Sequence, residues 1–370
     1  MGVGLDGCLV VGGGVVGQLT ALLLAEAGRA VTLIEQGGLG KESSWAGGGI
    51  VSPLYPWRYT SAVSELAHWS QFYYPELGLR LHKSTGIDPE VYSSGLYWLD
   101  LDDQGDAISW AHSQGRELFE ISIEQVYKAV PQLEPNYRQA LFMPDAANVR
   151  NPRLLKALRL ALNRYANVQI LESCKVEEFL IESGRCVGLG TSDGDVRAAR
   201  TILAAGAWSG QLLATLGLQL PVEPVKGQMI LYKCEPGFLP AIVLAKGRYA
   251  IPRKDGHILV GSTLEHVGFD KTPTEEALAS LKASAEELLP ALADAEVVGH
   301  WAGLRPGSPD GIPFIGEVPQ FPGLWLNCGH YRNGLVLAPA SCELLKNLML
   351  GEAPIVDPAP YAPAGRLGLV

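Results

Sequence analysis

The chain contains no C-x-x-C pair and no histidine placed to complete a zinc-finger spacing, so no metal site is expected. Its six cysteines (Cys8, Cys174, Cys186, Cys234, Cys328 and Cys342) are scattered, and several sit in apolar, strand-like runs. There a thiol behaves as a small buried hydrophobe, which removes a disulfide framework and fits a reduced, cytoplasmic protein. Charge is scarce as well: 18% of residues are charged, the net charge is −10, and no basic run or basic–aromatic stripe occurs. That excludes a nucleic-acid surface and favours solubility. Internal repeats are missing, as is low complexity beyond short glycine clusters. One stretch, Gly7 to Ala25, is uncharged, but it lacks a basic flank and a clear cleavage site and is broken by glycines. It is therefore neither a signal peptide nor a membrane span, and nothing else approaches bilayer length. What remains is a 370-residue, 47% hydrophobic chain with enough apolar material for a large core, for which two domains are the prior.

The short apolar run Cys8 to Val11 leads straight into Gly12-Gly13-Gly14-Val15-Val16-Gly17, then into an apolar helical stretch closed by Gly28. Ala30 to Glu35 is the next strand, and it ends in an acid. Gly12, Gly14 and Gly17 have the G-x-G-x-x-G spacing of a dinucleotide site. The first permits a tight turn, the second lets backbone approach a pyrophosphate, and the third lets helix and strand pack closely. The helix N-terminus offers free N–H groups and a positive dipole end to that pyrophosphate. Glu35 can accept hydrogen bonds from ribose hydroxyls.

Gly37 to Gly49 is Gly/Ser-rich and reads as a segment without regular structure. Its glycines would let Ser43-Ser44-Trp45-Ala46-Gly47-Gly48-Gly49 wrap a flat ligand, although a plain flexible loop has the same composition. Helical patterning covers Ser61 to Ser84, and short strands and loops are expected from Asp88 to Met143. A helix should begin with Asn151 as its cap and Pro152 at its first position. Strands follow at Val168–Leu171, Val176–Ile181, Cys186–Thr191 and Thr201–Gly206. Tyr249–Pro252 and Ile258–Gly261 form a hairpin through Asp255-Gly256, and Thr272-Pro273-Thr274-Glu275 opens a helix as a capping box. The chain closes with a strand at Leu324–Cys328, a turn, and a helix from Gly334 to Leu350. This order describes an α/β domain in three pieces, residues 1–84, 146–218 and 308–370, interrupted by a β-rich domain at 85–145 and 219–307. Ligands favour the interface of two such units.

Taken with the fingerprint, the Ser43–Gly49 loop, Ala204-Ala205-Gly206, Trp301-Ala302-Gly303-Leu304-Arg305-Pro306 and Gly329-His330-Tyr331-Arg332-Asn333-Gly334 resemble the glycine oxidase branch of the D-amino-acid oxidase family, nearest to its ThiO type. The resemblance spans essentially the whole chain. It implies an α/β fold with a Rossmann-like FAD-binding domain and a second, antiparallel β-sheet substrate domain. It also implies oxidative deamination of glycine or another small amine or D-amino acid. A hydride would pass to flavin N5, O2 would return the flavin to its oxidised state with release of H2O2, and the imine would serve thiamine thiazole synthesis.

By that resemblance Arg305 holds the substrate carboxylate, which a planar guanidinium does with two parallel hydrogen bonds. Tyr249 adds its hydroxyl to the clamp, and taken alone it reads as a half-buried strand aromatic. Arg332 stands near substrate entry or is a flavin-facing or surface charge. The cofactor side is assigned to Gly12, Gly14, Val15, Val16, Gly17 and Glu35, and to Ser43, Ser44, Ala46, Gly47 and Gly48. It continues through Val176, Ala205, Gly206, Trp208 and Gly303 to His330, Arg332, Asn333, Gly334 and Leu335. The helix from Gly334 can aim its N-terminus at the flavin pyrimidine end. His330 is read as a loop histidine rather than a base, since hydride transfer from a neutral amine needs none.

Relatives that bind flavin covalently do so through a cysteine shortly before a Pro-Asp pair. Pro309-Asp310 is present but Gly303–Ser308 has no cysteine, so non-covalent FAD is expected. Two other readings stay open. One is an amino-acid dehydrogenase that passes electrons to a quinone or partner, as in the related hydrogen cyanide synthase subunit. The other is a flavoprotein that modifies a partner. A homo-oligomer is plausible on the general ground that soluble enzymes often form one.

Overall fold

The computed structural model describes residues 7–370, so the first six residues of the expected leading segment lie outside it. Two sheets organise the chain. The first is six-stranded, in the order Phe314–Glu317, Leu324–Cys328, Arg200–Leu203, Cys8–Val11, Val31–Ile34, Val168–Leu171. All neighbours are parallel except the first pair. Its central strands are short continuous apolar runs because both faces are covered, one by helices and the other by the three-stranded sheet Val176–Glu182, Arg185–Thr191, Gly194–Arg197. Cys8–Val11 and Val31–Ile34 are buried throughout. The helix Val15–Glu26 packs on this sheet beside the C-terminal helix Gly334–Leu350, which also touches it, and the Asn167 amide closes its end by donating to the Ala25 and Arg29 carbonyls. Chain order reverses between Cys8–Val11 and Arg200–Leu203, so a crevice opens at their carboxyl ends, the usual ligand position in such sheets.

The second sheet has eight strands, in the order Glu296–Gly307, Glu223–Lys233, His257–Gly261, Arg248–Pro252, Ile242–Ala245, Leu96–Leu99, Ala140–Met143, Phe119–Ile121. Every pairing is antiparallel except that of Ile242–Ala245 with Leu96–Leu99. Side chains alternate across it. Ile230, Ala250 and Val260 pack against Leu281, Ala285 and Leu288 of the helix Glu275–Leu288. Met229, Tyr249, Ile251 and Leu259 share the opposite face. That alternation also assigns Arg305, paired with Val225, to the Met229 side.

Four local expectations are revised. Gly37–Gly49 is not irregular throughout, because Ser43–Ala46 forms one helical turn. The region 88–143 includes two helices, Gln104–Gln114 and Ile123–Ala129, the second opened by a reciprocal Ser122–Gln125 capping box. Arg150, not Asn151, is the cap of helix Asn151–Leu162, because the Asn151 side chain is spent elsewhere. At Thr274 the cap is one-sided: its hydroxyl accepts from Ala277, and its own N–H goes to Gln228 rather than to a capping-box acid.

Candidate active site

A cavity of about 660 Å³ occupies the crevice between the two sheets. At one end the glycine loop follows strand Cys8–Val11. Gly12 has φ of +106°, and a Cβ there would sit 2.5 Å from the Ala204 carbonyl oxygen. The Ala204-Ala205 motif and the glycine loop are thus the two lips of the crevice. Gly17 does not line the cavity, since a Cβ on it would fall 1.8 Å from the Gly12 carbonyl; it serves helix packing. Gly14, Val15 and Val16 open the first helix at the cavity wall. Glu35 reaches back from the end of its strand, one carboxylate oxygen accepting from Gly13 N–H at 2.7 Å and the other from Gly37 N–H at 2.8 Å. It braces the loop as well as facing the cavity.

Ser43, Ser44, Ala46, Gly47 and Gly48 form the next wall. The Ser44 hydroxyl accepts from Val15 N–H at 2.9 Å, and the Asn151 amide donates to the Ser44 and Gly47 carbonyls at 2.8 and 3.1 Å. From the second sheet, the Trp301 indole N–H donates to Ala46, and the buried Arg253 guanidinium donates to the Gly48 carbonyl at 2.7 Å. Burial pulls the Arg253 pKa down to about 10, which leaves it cationic at neutral pH. Val176, Ala205, Gly206, Trp208 and Gly303 also line the cavity.

At the opposite end Arg305 lies across Gly227. A Cβ on Gly227 would meet the guanidinium nitrogens at 2.2 Å, so only glycine lets the group lie flat there. Its N–H groups donate to Lys226 O at 3.3 Å, Thr263 O at 3.2 Å and Ser262 Oγ at 2.7 Å. Burial lowers its pKa, with the Tyr249 hydroxyl opposing and Arg332 adding to the shift. Tyr249 is 6% exposed and donates to Met229 Sδ at 3.5 Å. Arg332 is exposed and borders the same cavity.

His330, Asn333, Gly334 and Leu335 complete the lining. His330 is 2% exposed, and burial pushes its pKa down to about 3. Its Nε2 lies 3.0 Å from Ser341 Oγ, whose proton goes to the Ala338 carbonyl, so Nε2 is the donor of a neutral imidazole. Cys328 also faces the cavity, and burial raises its thiol to about 12.

The cavity thus brings together every residue assigned from sequence except Gly17. Sequence reasoning missed Asn151 as a brace, Arg253, Gly227, Met229 and Asn327. Only Gly227 had a local signal, a glycine inside a strand pattern, which marks close approach of another group.

The architecture is that of a two-sheet flavoprotein oxidoreductase with its site at the sheet junction. The DAO family model, described as FAD dependent oxidoreductase, matches residues 8–348, and the chain belongs to that family. It is 64% identical to a glycine oxidase from Pseudomonas putida over 97% of this chain and 99% of that protein. The crystal structure of glycine oxidase from Geobacillus kaustophilus matches with a TM-score of 0.92 and 30% identity, covering 98% of this chain and 99% of that one. A bifunctional protein ThiO/ThiG from Nostoc is 29% identical over 93% of this chain, which spans 52% of that longer protein. The resemblance to the glycine oxidase branch therefore stands, and the cofactor is FAD.

The residues fit FAD on their own chemistry. The glycine lips and the first helix's N-terminus suit a pyrophosphate. Farther along, Asn333 Nδ2, Asn327 Oδ1 and Asn151 Oδ1 are buried without a hydrogen-bond partner on residues that line the cavity. Unmatched buried donors and acceptors of this kind call for a polar ligand.

Two predictions follow from this geometry. Gly227→Ala should displace the Arg305 guanidinium and raise the KM for a carboxylate substrate about tenfold while FAD stays bound. An unchanged KM would show that the close approach is unimportant. The second concerns His330. Its folded pKa lies below its unfolded value, so in acid the unfolded chain takes a proton that the native state refuses. Stability should fall as pH drops below the unfolded pKa of about 6.5, by about 2 kcal/mol at pH 5. Urea midpoints at pH 7 and 5 should differ less for His330→Gln than for the parent; equal differences would refute this.

Proposed function

We propose that this chain catalyses FAD-dependent oxidative deamination of glycine or a similarly small amine or D-amino acid. One juxtaposition carries the reading: the Arg305 guanidinium and the Tyr249 hydroxyl share the cavity wall facing away from the glycine-loop end. The cavity's carboxylates, Glu35, Glu42 and Glu177, come from the glycine-loop surroundings and the neighbouring hairpin. Of the cavity's cations, Arg305 and Arg332 stand at this end, while the exposed Lys175 shares the hairpin side with Glu177, so a small anion is favoured at the arginine end. Arg305 is held by three acceptors and keeps N–H groups for a bidentate grip on a carboxylate. Tyr249 adds a hydroxyl beside it, and the exposed Arg332 attracts the carboxylate at the mouth.

When bound, FAD would supply the two-electron oxidation of the amine, with O2 as the final acceptor. The chain's own part is to bind and orient. With the carboxylate fixed, the amine must be neutral, and the neutral His330 adds no charge of its own to oppose the cationic character that develops at the amine nitrogen. The Nostoc relative's printed name, ThiO/ThiG, supports delivery of the imine product to thiamine thiazole synthesis. All six cysteines are unpaired, which supports a cytoplasmic setting, and no described helix is long and apolar enough to cross a membrane.

The test is to add glycine to the FAD-loaded protein without oxygen, follow the visible flavin band, and then admit air. Bleaching followed by recovery with peroxide is expected. Bleaching without recovery would replace the oxidase with a dehydrogenase, and no bleaching with any small amine would overturn the substrate class. In Arg305→Ala the apparent KM should rise about 10–100-fold, the loss of a charge-assisted hydrogen-bond pair, with flavin retained. Flavin loss with unchanged substrate affinity would refute the role of Arg305.

A further inference from the structure

Arg305 does not hold its position by its own strand alone. Two of its acceptors, Ser262 Oγ and Thr263 O, belong to the segment that leaves strand His257–Gly261. This segment runs beside strand Glu223–Lys233, with Lys226 and Glu265 exchanging both backbone hydrogen bonds. Its far end reaches the cofactor wall: Phe269 lies 5.6 Å from the Trp208 ring, and Lys271 Nζ binds the Glu42 carboxylate at 2.7 and 2.9 Å. Three apolar side chains on it, Leu264, Val267 and Phe269, are exposed, so burial of its own apolar surface does not hold it down.

What fastens it is polar and lies on the sheet face opposite the cavity. Lys226 is only 1% exposed, and its ammonium lies 3.6 Å from Glu265 Oε2 and 3.7 Å from Asp270 Oδ2. A lysine this deeply buried needs a charge partner. The other Glu265 oxygen accepts from the Thr263 hydroxyl and from Gln228 Nε2. Gln228 N–H donates to Thr263 Oγ1 at 2.8 Å, and Gln228 Oε1 receives Thr274 N–H at 3.0 Å and faces His300 Nε2 at 3.0 Å. Burial opposes ionisation of Glu265, yet the bonds from Thr263 and Gln228 and the Lys226 ammonium keep its carboxyl below the usual range. Glu265 therefore joins Lys226 and Thr263, whose carbonyls accept from the Arg305 guanidinium, to Gln228.

We propose that Glu265, through its pairing with buried Lys226, is a positioning residue that clamps segment 262–265 against the sheet and so fixes the Arg305 guanidinium for a substrate carboxylate. It touches neither substrate nor cofactor. The proposal rests on the reading of Arg305 as the carboxylate group. It deepens that reading by dividing the work: the cavity face presents the charge, and the ion pair on the other face sets its aim.

The experiment titrates FAD-loaded protein with acetate, a carboxylate with no amine to oxidise, and follows the visible flavin spectrum. Glu265→Gln is nearly isosteric and should weaken acetate binding about tenfold and raise the KM for glycine in proportion, with kcat within about twofold. Ser262→Ala, which removes one acceptor and leaves the ion pair intact, should weaken acetate binding in the same direction. If Glu265→Gln cannot be loaded with FAD, Ser262→Ala decides. Unchanged acetate binding in both variants, with weakening in Arg305→Ala, would overturn the positioning role alone. Unchanged binding in Arg305→Ala would overturn the carboxylate reading and the proposal with it. Arg305- and Glu265-dependent acetate binding without oxidation of glycine would uphold the proposal while the oxidase reading falls.

Discussion

Segment Ser43–Gly49 has to satisfy two sheets at once, and the rest of the site depends on how it does so. It runs through the crevice, where water cannot serve every backbone group, so its carbonyls need partners from the protein. Ser44 and Gly47 are matched by Asn151, Ala46 by the Trp301 indole, Gly48 by Arg253 and Gly49 by Val149 N–H. The Ser44 hydroxyl meanwhile takes a free N–H at the start of the first helix. Gly303 completes the seam, for a Cβ there would come within 2.5 Å of the Ala46 side chain. These contacts arrive from the eight-stranded sheet and its margin, from the start of helix Val15–Glu26 and from the helix Asn151–Leu162. The two halves of the cavity are thereby held at a fixed separation, which a ligand spanning it would require.

The electrostatics of the cavity are built to the same plan. The chain as a whole carries a net charge of −10, yet the cavity end away from the glycine loop presents two guanidinium groups. Arginine suits that place because it stays cationic even when burial lowers its pKa, whereas a lysine would be more easily neutralised. Three oxygen acceptors hold Arg305 without neutralising it, since two are carbonyls and one a hydroxyl. A carboxylate in their place would have cancelled the charge. The nearby imidazole of His330 is kept neutral by burial, so it adds no second positive charge in the interior.

The parts of this design that were legible in the sequence are those with local spacing. Gly12, Gly14 and Gly17, the acid Glu35 and the helix from Gly334 each rest on a pattern within one element, and the structure places those elements where the pattern implies. Gly37–Gly49 looked irregular because its composition reports only intrinsic freedom. Its order comes from Asn151, Arg253 and Trp301, residues remote in sequence that no local window connects. Asn151 shows the same limit from the other side. As a residue type before proline it is a good cap, but its amide is worth more bridging two buried carbonyls, and the capping position passes to Arg150. The missed helix Ile123–Ala129 is different, for its Ser122–Gln125 box was there to be read.

The back of the substrate sheet explains why a charge cluster sits where apolar residues would pack more cheaply. A strand that faces a cavity on one side and a helix on the other needs apolar side chains toward the helix, and Ile230 and Tyr232 supply them. Farther along the same strand and face, Gln228 and Lys226 depart from that rule just where the partner strand has ended at Gly261. Beyond that point the sheet edge must bind an irregular segment, and irregular backbone offers no regular ladder to bind. Side-chain donors and carboxylates can meet groups at uneven spacing, which methyl groups cannot do directionally. Removing one member of such a buried pair usually costs more than the pair contributes, so the cluster is a poor source of stability. Its value lies in fixing one geometry, that of the backbone next to Arg305.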